Sequence, residues 1–296
     1  MNNNYMMKNY KNIANNFKEN KQLIKAIQFY RKAYKYDEGK RDIELLIDMA
    51  IIYDELGSFK MSYEKYLEIL KIKEDERAYY GIAILYDGLR EYQKAIEFYK
   101  KAISLNPFYY EAYFFMANTY DELGKKEKSI KYYKKALEIK PLDFWGHANL
   151  GCIYEELNKN ELALKEMKKA LEIKENHYMA LFNMGVILKK MGEYKEAIKY
   201  YKMSINENKY YGYSFLNLAV LYKELDDLKK SIIIISQGIE NNPKEGYLYY
   251  NRACFYVHEN DIKSAVKDMR IAIKLYPDFK EYMKDDEELK PLLHLI

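Results

Sequence analysis

Four asparagines stand at equal intervals in the second half of the chain. Asn149, Asn183, Asn217 and Asn251 are each 34 residues apart. A carboxamide offers hydrogen-bond donors and an acceptor, so a row of them can bind a peptide backbone whatever its side chains. The spacing predicts a ladder that contacts a ligand. Binding of water or of a neighbouring turn is the alternative interpretation.

Residue types that support catalysis or metal binding show no comparable order. The four histidines have no ligand spacing with one another or with either cysteine, and the chain has no glycine-rich phosphate loop. The carboxylates are better explained as surface charge. We therefore predict a protein without enzymatic activity, cofactor or metal.

Nearly the same interval spaces a column of tyrosines, which shows what positions the asparagines. Leu188 fills the one missing place in this column, which consists of Tyr53, Tyr86, Tyr120, Tyr154, Tyr222 and Tyr256. Such a period indicates a stacked array of one short unit rather than a globule with a pocket. We predict an Asn-rich arm at 1–6, a C-terminal cap at 280–296, and eight units at 7–42, 43–75, 76–109, 110–143, 144–177, 178–211, 212–245 and 246–279.

Each unit is predicted to be a helix, a turn and a second helix. Gly57, Gly124 and Gly192 mark turns, and Pro107, Pro141, Pro243 and Pro277 close second helices. Small residues permit close backbone approach at one place in each helix. The first-helix column is Ala14, Ala50, Ala83, Ala117, Gly151, Gly185, Ala219 and Ala253, and the second-helix column is Ala26, Ser62, Ala95, Ser129, Ala163, Ala197, Ser231 and Ala265.

These columns resemble the tetratricopeptide repeat family over nearly the whole chain, as in MANTYDELG, NLGCIYEEL and KEAIKYYKMSI. The resemblance implies an all-α fold, a right-handed superhelix of paired helices. It also implies that first helices line a concave groove, which suits a scaffold or adaptor that binds a peptide or a partner's helix. The asparagine row resembles the asparagine ladder of O-GlcNAc transferase.

Aromatic and aliphatic residues on the implied groove are further candidates for peptide contact. Burial by the next unit's helix is the alternative for several of them. The candidates are Tyr80, Phe114, Asn118, Phe182, Tyr213, Leu216, Tyr247 and Tyr250.

Chaperone-binding members of the family hold a peptide's carboxylates with a clamp of lysine, arginine and asparagine. Lys11 and Asn15 match its first part, but Asp48, Arg77 and Gly81 replace the rest. An aspartate facing a ligand carboxylate is repulsive, so binding of a chaperone tail is not expected.

Charge is unevenly distributed between the two helices of the middle units. Lysines lie on the second helices, which is typical of a solvent-exposed convex surface. The first helices carry Asp87, Glu111, Asp121, Glu122, Glu155 and Glu156, which favours a partner with basic residues.

Composition limits the remaining classes of protein function and location. The net charge is +4 with a pI of about 8.5, which falls short of a dedicated nucleic-acid binder. No apolar run is long enough to cross a bilayer, so we expect a cytoplasmic protein. Cys152 and Cys254 hold the same place in units three apart, and are predicted to be free thiols.

The seventh unit departs from the pattern on its second helix. Ile233 stands where other units place a charged or polar residue, and Ile234 follows it. This pair predicts either a small patch for self-association or a buried strip against a neighbouring unit. A structural, self-associating subunit is thus the alternative function.

Overall fold

The computed structural model of the chain describes residues 3–296, and every regular element in that range is a helix. The molecule divides into an N-terminal unit, Met1–Pro141, and a C-terminal unit, Leu142–Ile296. Met1 and Asn2, which begin the predicted arm, lie outside the described residues. The rest of that arm is helical, since the first helix begins at Asn3.

The N-terminal unit consists of helices packed in consecutive pairs. Its helices are α1 (Asn3–Glu19), α2 (Leu23–Tyr34), α3 (Asp37–Lys40), α4 (Ile43–Glu55), α5 (Phe59–Ile72), α6 (Glu76–Gly88), α7 (Tyr92–Leu105), α8 (Tyr110–Glu122) and α9 (Lys126–Ile139). The short α3 lies between the first and second pairs, which explains why the first predicted unit has 36 residues.

The C-terminal unit continues the same alternation. It contains α10 (Phe144–Glu156), α11 (Asn160–Ile173), α12 (Tyr178–Lys190), α13 (Tyr194–Glu207), α14 (Gly212–Glu224), α15 (Leu228–Asn241), α16 (Gly246–His258), α17 (Ile262–Leu275), α18 (Phe279–Asp285) and a 3-10 helix (Glu287–Leu292). The first helices of its pairs are α10, α12, α14 and α16, and the second helices are α11, α13, α15 and α17. The predicted all-α array of helix-turn-helix pairs is confirmed.

The turns within pairs adopt the backbone that their residues predict. Gly57, Gly124 and Gly192 have φ between 67° and 80°, the left-handed region in which glycine is unstrained. Asn158, Asp226 and Asn260 adopt similar angles at equivalent turns, and so do Lys21 and Arg90, which carry no sequence signal for it. The turn of each helix pair therefore contains one residue in the left-handed conformation at the equivalent position.

The two small-residue columns lie at the contacts between paired helices. Every member of both columns is buried. Their small side chains leave room for second-helix rings, since Tyr30, Tyr99 and Tyr201 have no exposed surface. The first-helix tyrosine column is less uniform, because Tyr53, Tyr120 and Tyr154 are buried whereas Tyr86, Tyr222 and Tyr256 are half-buried.

The C-terminal residues cover the last helix pair. The 3-10 helix contacts α16 and α17, and Met283, Leu289 and Leu292 are buried in a cluster with Cys254 and Phe255. These contacts shield an apolar end face, as the predicted cap requires.

Both cysteines are free thiols, as predicted. Among residues 3–296 no helix combines the length and the hydropathy needed to cross a membrane.

We predict that Gly185→Ala lowers the free energy of unfolding by about 1–3 kcal/mol, the usual cost of overpacking. A Cβ at Gly185 would lie 2.7 Å from the Tyr201 ring, which is buried and cannot retreat. Urea denaturation followed by far-ultraviolet circular dichroism measures the loss.

Gly151→Ala is the matched control, because Gly151 holds the same column place in the preceding helix pair of the C-terminal unit. A Cβ there would meet the flexible end of Met167 at 3.2 Å, which can move aside. Equal losses from the two substitutions would contradict the assignment of the cost to Tyr201.

Candidate functional site

The asparagine row lies on the first helices of the C-terminal unit, with all four side chains half-buried. Asn217 Nδ2 donates to the carbonyl oxygen of Tyr213 at 3.0 Å, and Asn251 Nδ2 donates to that of Tyr247 at 2.8 Å. Asn183 Nδ2 instead contacts Cys152 Sγ at 3.2 Å. Asn183, Asn217 and Asn251 therefore each use one amide hydrogen within the protein, which leaves the second hydrogen and the Oδ1 acceptor for a ligand.

Tyr213 and Tyr247 form a stacked pair beside these amides, with Tyr213 exposed and Tyr247 half-buried. Their ring centroids are 4.9 Å apart with planes 10° from parallel. Tyr213 has 49% of its surface exposed. Because each asparagine stands four residues after its tyrosine, ring and amide share one helix face.

The tyrosine pair ends a longer aromatic row of six side chains: Trp145, His177, Tyr178, Tyr211, Tyr213 and Tyr247. Successive centroids along this row are 4.9–5.6 Å apart. Trp145, the single tryptophan of the chain, is 43% exposed. Burial, followed by the charge of Lys174, lowers the pKa of His177, so at neutral pH its ring is an uncharged aromatic member of the row.

Sequence reasoning missed His177, Tyr178 and Tyr211 as members of this row. They stand just before or at the start of a first helix, outside the helical positions that the period marks. A weak signal existed, because Tyr109, His177 and Tyr211 fall on multiples of the same 34-residue interval.

Three predicted contacts of the C-terminal unit are held by other residues of the protein. Phe182 lies between the rings of Tyr201 and Tyr211, at 5.9 and 5.3 Å. Leu216 packs against the hydrophobic cluster that contains Cys254, Phe255 and Leu289, called here the last hydrophobic cluster. Tyr250 donates its hydroxyl to Asp286 Oδ2 at 2.7 Å, so a segment of the same chain occupies it.

The predicted contacts of the N-terminal unit are also held by neighbours. Tyr80 lies against the rings of Tyr99, Tyr109 and Phe115 at 5.2–6.1 Å, and burial raises its pKa. Phe114 lies edge-on to Tyr133 at 5.6 Å. Asn118 Oδ1 accepts the hydroxyl of Tyr133. Each of these side chains fills space between helices of its unit.

Carboxylates on the first helices differ between the two units. Burial raises the pKa of Asp54 and of Asp87. Asp87 accepts hydrogen bonds from Thr119 Oγ1 at 3.1 Å and from Tyr99 at 3.4 Å, and neither donor is a cation. In the C-terminal unit Glu155 is paired with Lys190. In the N-terminal unit Glu111 is paired with Lys140 and Asp121 with Lys126, whereas Asp54 and Asp87 have no ion-pair partner among the described residues.

Residues at the places of the carboxylate clamp have partners in the protein. Lys11 Nζ binds Asp42 Oδ2 at 2.6 Å, and Asn15 Oδ1 accepts the Tyr30 hydroxyl at 2.6 Å. Asp48 is paired with Lys18 at 2.7 Å. These contacts leave no preformed cationic pocket at Lys11, Asn15 and Asp48.

The two isoleucines of the predicted association patch lie differently. Ile233 is 56% exposed, whereas Ile234 packs against the last hydrophobic cluster. Self-association through this surface stays a prediction that rests on one exposed isoleucine. Across residues 3–296, no cluster of three or more histidine, cysteine, aspartate or glutamate side chains could hold a metal ion.

Stacked helix pairs whose first helices repeat aromatic and amide side chains define a helical-repeat protein of the interaction-scaffold class. Sequence profiles of the tetratricopeptide repeat match residues 132–165, 178–211, 213–245 and 247–279. The chain belongs to the tetratricopeptide repeat family. A profile of the regulator of microtubule dynamics protein 1-3 also matches residues 81–144. Curated protein sequences give no significant match.

Two of the three solved structures described next share the fold. A tetratricopeptide repeat protein from Parabacteroides merdae ATCC 43184 aligns with a TM-score of 0.63 and 19% identity, over 86% of this chain and 98% of its own. The Cut9–Hcn1 hetero-tetramer of the APC/C aligns with a TM-score of 0.60 and 15% identity, over 92% of this chain and 52% of that chain. MamA aligns with a TM-score of 0.49 and 29% identity, over 55% of this chain and 95% of its own.

We predict that Asp87→Asn reduces the pH dependence of stability in acid. A carboxyl whose folded pKa is raised stabilises the fold below its ordinary pKa, and this contribution is lost as the pH rises through the raised value. Wild type should therefore lose more stability than Asp87→Asn between about pH 4 and pH 7, as measured by urea denaturation.

Asp227→Asn tests the sign. The Lys230 ammonium and backbone lower the pKa of Asp227, so its contribution is present above the ordinary pKa and lost as the pH falls. If the two substitutions changed the pH profile in the same direction, the environment assigned to Asp87 would be wrong.

Proposed function

We propose that the protein is an interaction scaffold whose C-terminal unit binds an extended peptide segment along its first helices. The observation that supports this most is the stacked pair of exposed Tyr213 and half-buried Tyr247, with Asn217 and Asn251 held beside it. Two aromatic faces and two amides repeat there with the same relative placement. Such a surface suits a partner with a regular backbone and one or two apolar side chains.

The two kinds of side chain divide the work of recognition. The aromatic row offers large rigid surface at low entropic cost, so it binds apolar or proline side chains. The amides bind peptide groups through Oδ1 and the remaining hydrogen. First helices that contact one another lie about 8–10 Å apart, and an extended chain advances about 3.3 Å per residue. One asparagine thus meets roughly every third residue of a bound segment.

Charge on the N-terminal unit indicates a second preference. Asp54 and Asp87 lie on first helices without an ion-pair partner among the described residues. Glu55 follows Asp54 on α4, and Glu122 lies on α8, the first helix after that of Asp87. Partly buried carboxylates of this kind favour a ligand that brings lysine or arginine. This unit therefore contributes selectivity for a basic segment of the partner.

We predict that Tyr213→Ala with Tyr247→Ala weakens peptide binding by at least tenfold, because truncation of buried aromatic contacts costs about 2 kcal/mol or more at a binding hot spot. Peptides would be selected from a random displayed library on the wild-type protein. Their affinity is then measured by fluorescence anisotropy, and Trp145 emission reports binding at the aromatic row.

The control is Tyr210→Ala, which removes an adjacent and more exposed tyrosine, 69% accessible, outside the row. Selected peptides that bind the double variant as tightly as wild type, without a change in Trp145 emission, would refute the proposed site.

We predict separately that Asn183→Ala with Asn217→Ala weakens the same peptides by about tenfold, since each lost hydrogen bond costs about 0.5–1.5 kcal/mol. The loss should be similar for peptides of different sequence, because the amides contact backbone. It should disappear for peptides N-methylated at the contacted positions. Unchanged affinity in this double variant would exclude the ladder from the binding surface.

A further inference from the structure

Residues 286–292 fold back onto the first helices of the last two pairs. This segment begins with Asp286, Glu287 and Glu288 and continues with Leu289 and Leu292. Asp286 accepts the Tyr250 hydroxyl at 2.7 Å on α16. Glu288 accepts a hydrogen bond from Lys223 Nζ of α14 at 2.7 Å. Its second carboxylate oxygen lies 3.3 Å from His258 Nε2 of α16. Two carboxylates therefore bind side chains from two consecutive first helices.

Leucines of the segment complete the contact. Leu289 and Leu292 have no exposed surface, and they share a buried cluster with Cys254 of α16. Leu216 and Val220 of α14 pack against the same cluster. Leu216 and Tyr250 were predicted to contact a peptide. Leu216 packs against this cluster, and Tyr250 bonds Asp286 of the segment.

Charge complementarity is local to this contact. Burial raises the pKa of Glu288, but hydrogen bonds from Lys223 and then His258 lower it overall, so the carboxylate is ionised. Asp286 Oδ1 also accepts the Glu288 backbone N–H at 3.0 Å, which holds both carboxylates on one turn. The segment thus presents two bound carboxylates, Asp286 and Glu288, separated by one residue and followed by buried leucines.

We infer that Lys223, Tyr250 and His258 form a binding site for an acidic, leucine-containing segment of a partner protein, and that residues 286–292 occupy this site as an internal competitor. The inference rests on the proposed function and names the partner chemistry at one end of its binding surface. A partner segment would place a carboxylate on Lys223 and a leucine in the cluster that Leu289 now fills. It must displace residues 286–292 to bind.

The test uses a fluorescein-labelled synthetic peptide with the sequence of residues 285–296 and the full chain. Leu289→Asp with Leu292→Asp should release the internal segment, because two carboxylates cannot enter an apolar cluster. We expect this released variant to bind the peptide at least tenfold more tightly than wild type in fluorescence anisotropy. Circular dichroism checks that its helices are retained.

Charge reversal identifies the contact. Lys223→Glu in the released variant should weaken the peptide at least tenfold, and a peptide with Glu288→Lys should recover the loss. Lys229→Glu, the same change on an exposed lysine of α15, is the matched control and should have no effect. A folded released variant that binds no better than wild type would show that residues 286–292 are only a structural cap, and would overturn the inference.

Cys254 provides a measurement that does not need the released variant to fold. Burial, then the charges of Asp286 and Glu288, raises the pKa of its thiol to about 12. In the otherwise wild-type chain, Lys223→Glu should increase the alkylation rate of Cys254 at least fivefold while leaving that of Cys152 unchanged. An unchanged Cys254 rate would mean that Lys223 does not hold the segment in place.

Two other outcomes have definite meanings. A wild-type dimer with cross-links between residues 286–292 of one copy and α16 of another would overturn the internal competitor, because the occupant would then be a second copy. A released variant that binds library peptides through Tyr213 and Tyr247, but not the 285–296 peptide, would refute this inference and leave the proposed function intact.

Discussion

Every helix pair depends on a close crossing that only a small side chain allows. The first-helix and second-helix columns contain only alanine, glycine and serine, and all their members are buried. At one such crossing the Ser129 hydroxyl donates to the Ala117 carbonyl oxygen at 2.8 Å, which the backbones permit because they lie so near. A larger residue would separate the helices and change the position of everything they carry.

This crossing also determines what the first helices can offer a ligand. Rings such as Tyr201 extend from the second helix over the small residue and fill the space behind the first helix. Residues at other places of the first helix are then free to face outward. Since the pairs repeat, Tyr213 and Asn217 on α14 recur as Tyr247 and Asn251 on α16, and the rings of the two tyrosines stack.

Much of this arrangement could be predicted from the sequence, because it follows from local periodicity. The small columns, the glycine turns and the prolines after second helices each recur at a fixed interval, and the structure places them as expected. Their physical requirements are short in range: a methyl-sized contact, a positive φ, a helix that must end. Two turns, at Lys21 and Arg90, adopt the same angle without a favourable residue, since the surrounding helices determine it.

Features that break the period could not be predicted in this way. His177 and Tyr211 join the aromatic row from the chain just before a first helix, where helical spacing gives no guide to side-chain direction. Tyr80 and Phe114 stand where helical spacing predicts a side chain that faces a ligand, yet neighbouring rings hold them. The contact of Tyr250 with Asp286 joins residues 36 apart, but one partner lies after the last repeat, where no column exists to indicate it.

The ion pair between Lys223 and Glu288 has a consequence for the order of folding. Side-chain hydrogen bonds between neighbouring pairs join residues about one period apart, such as Tyr34 and Glu68 or Lys189 and Glu224, whereas this one spans 65 residues. An array grows from contacts between neighbours, and loop closure makes distant contacts slower to form. The Lys223–Glu288 contact can form only when α14 and α16 already lie side by side. Its formation is therefore a late event that marks the completed assembly of the C-terminal unit.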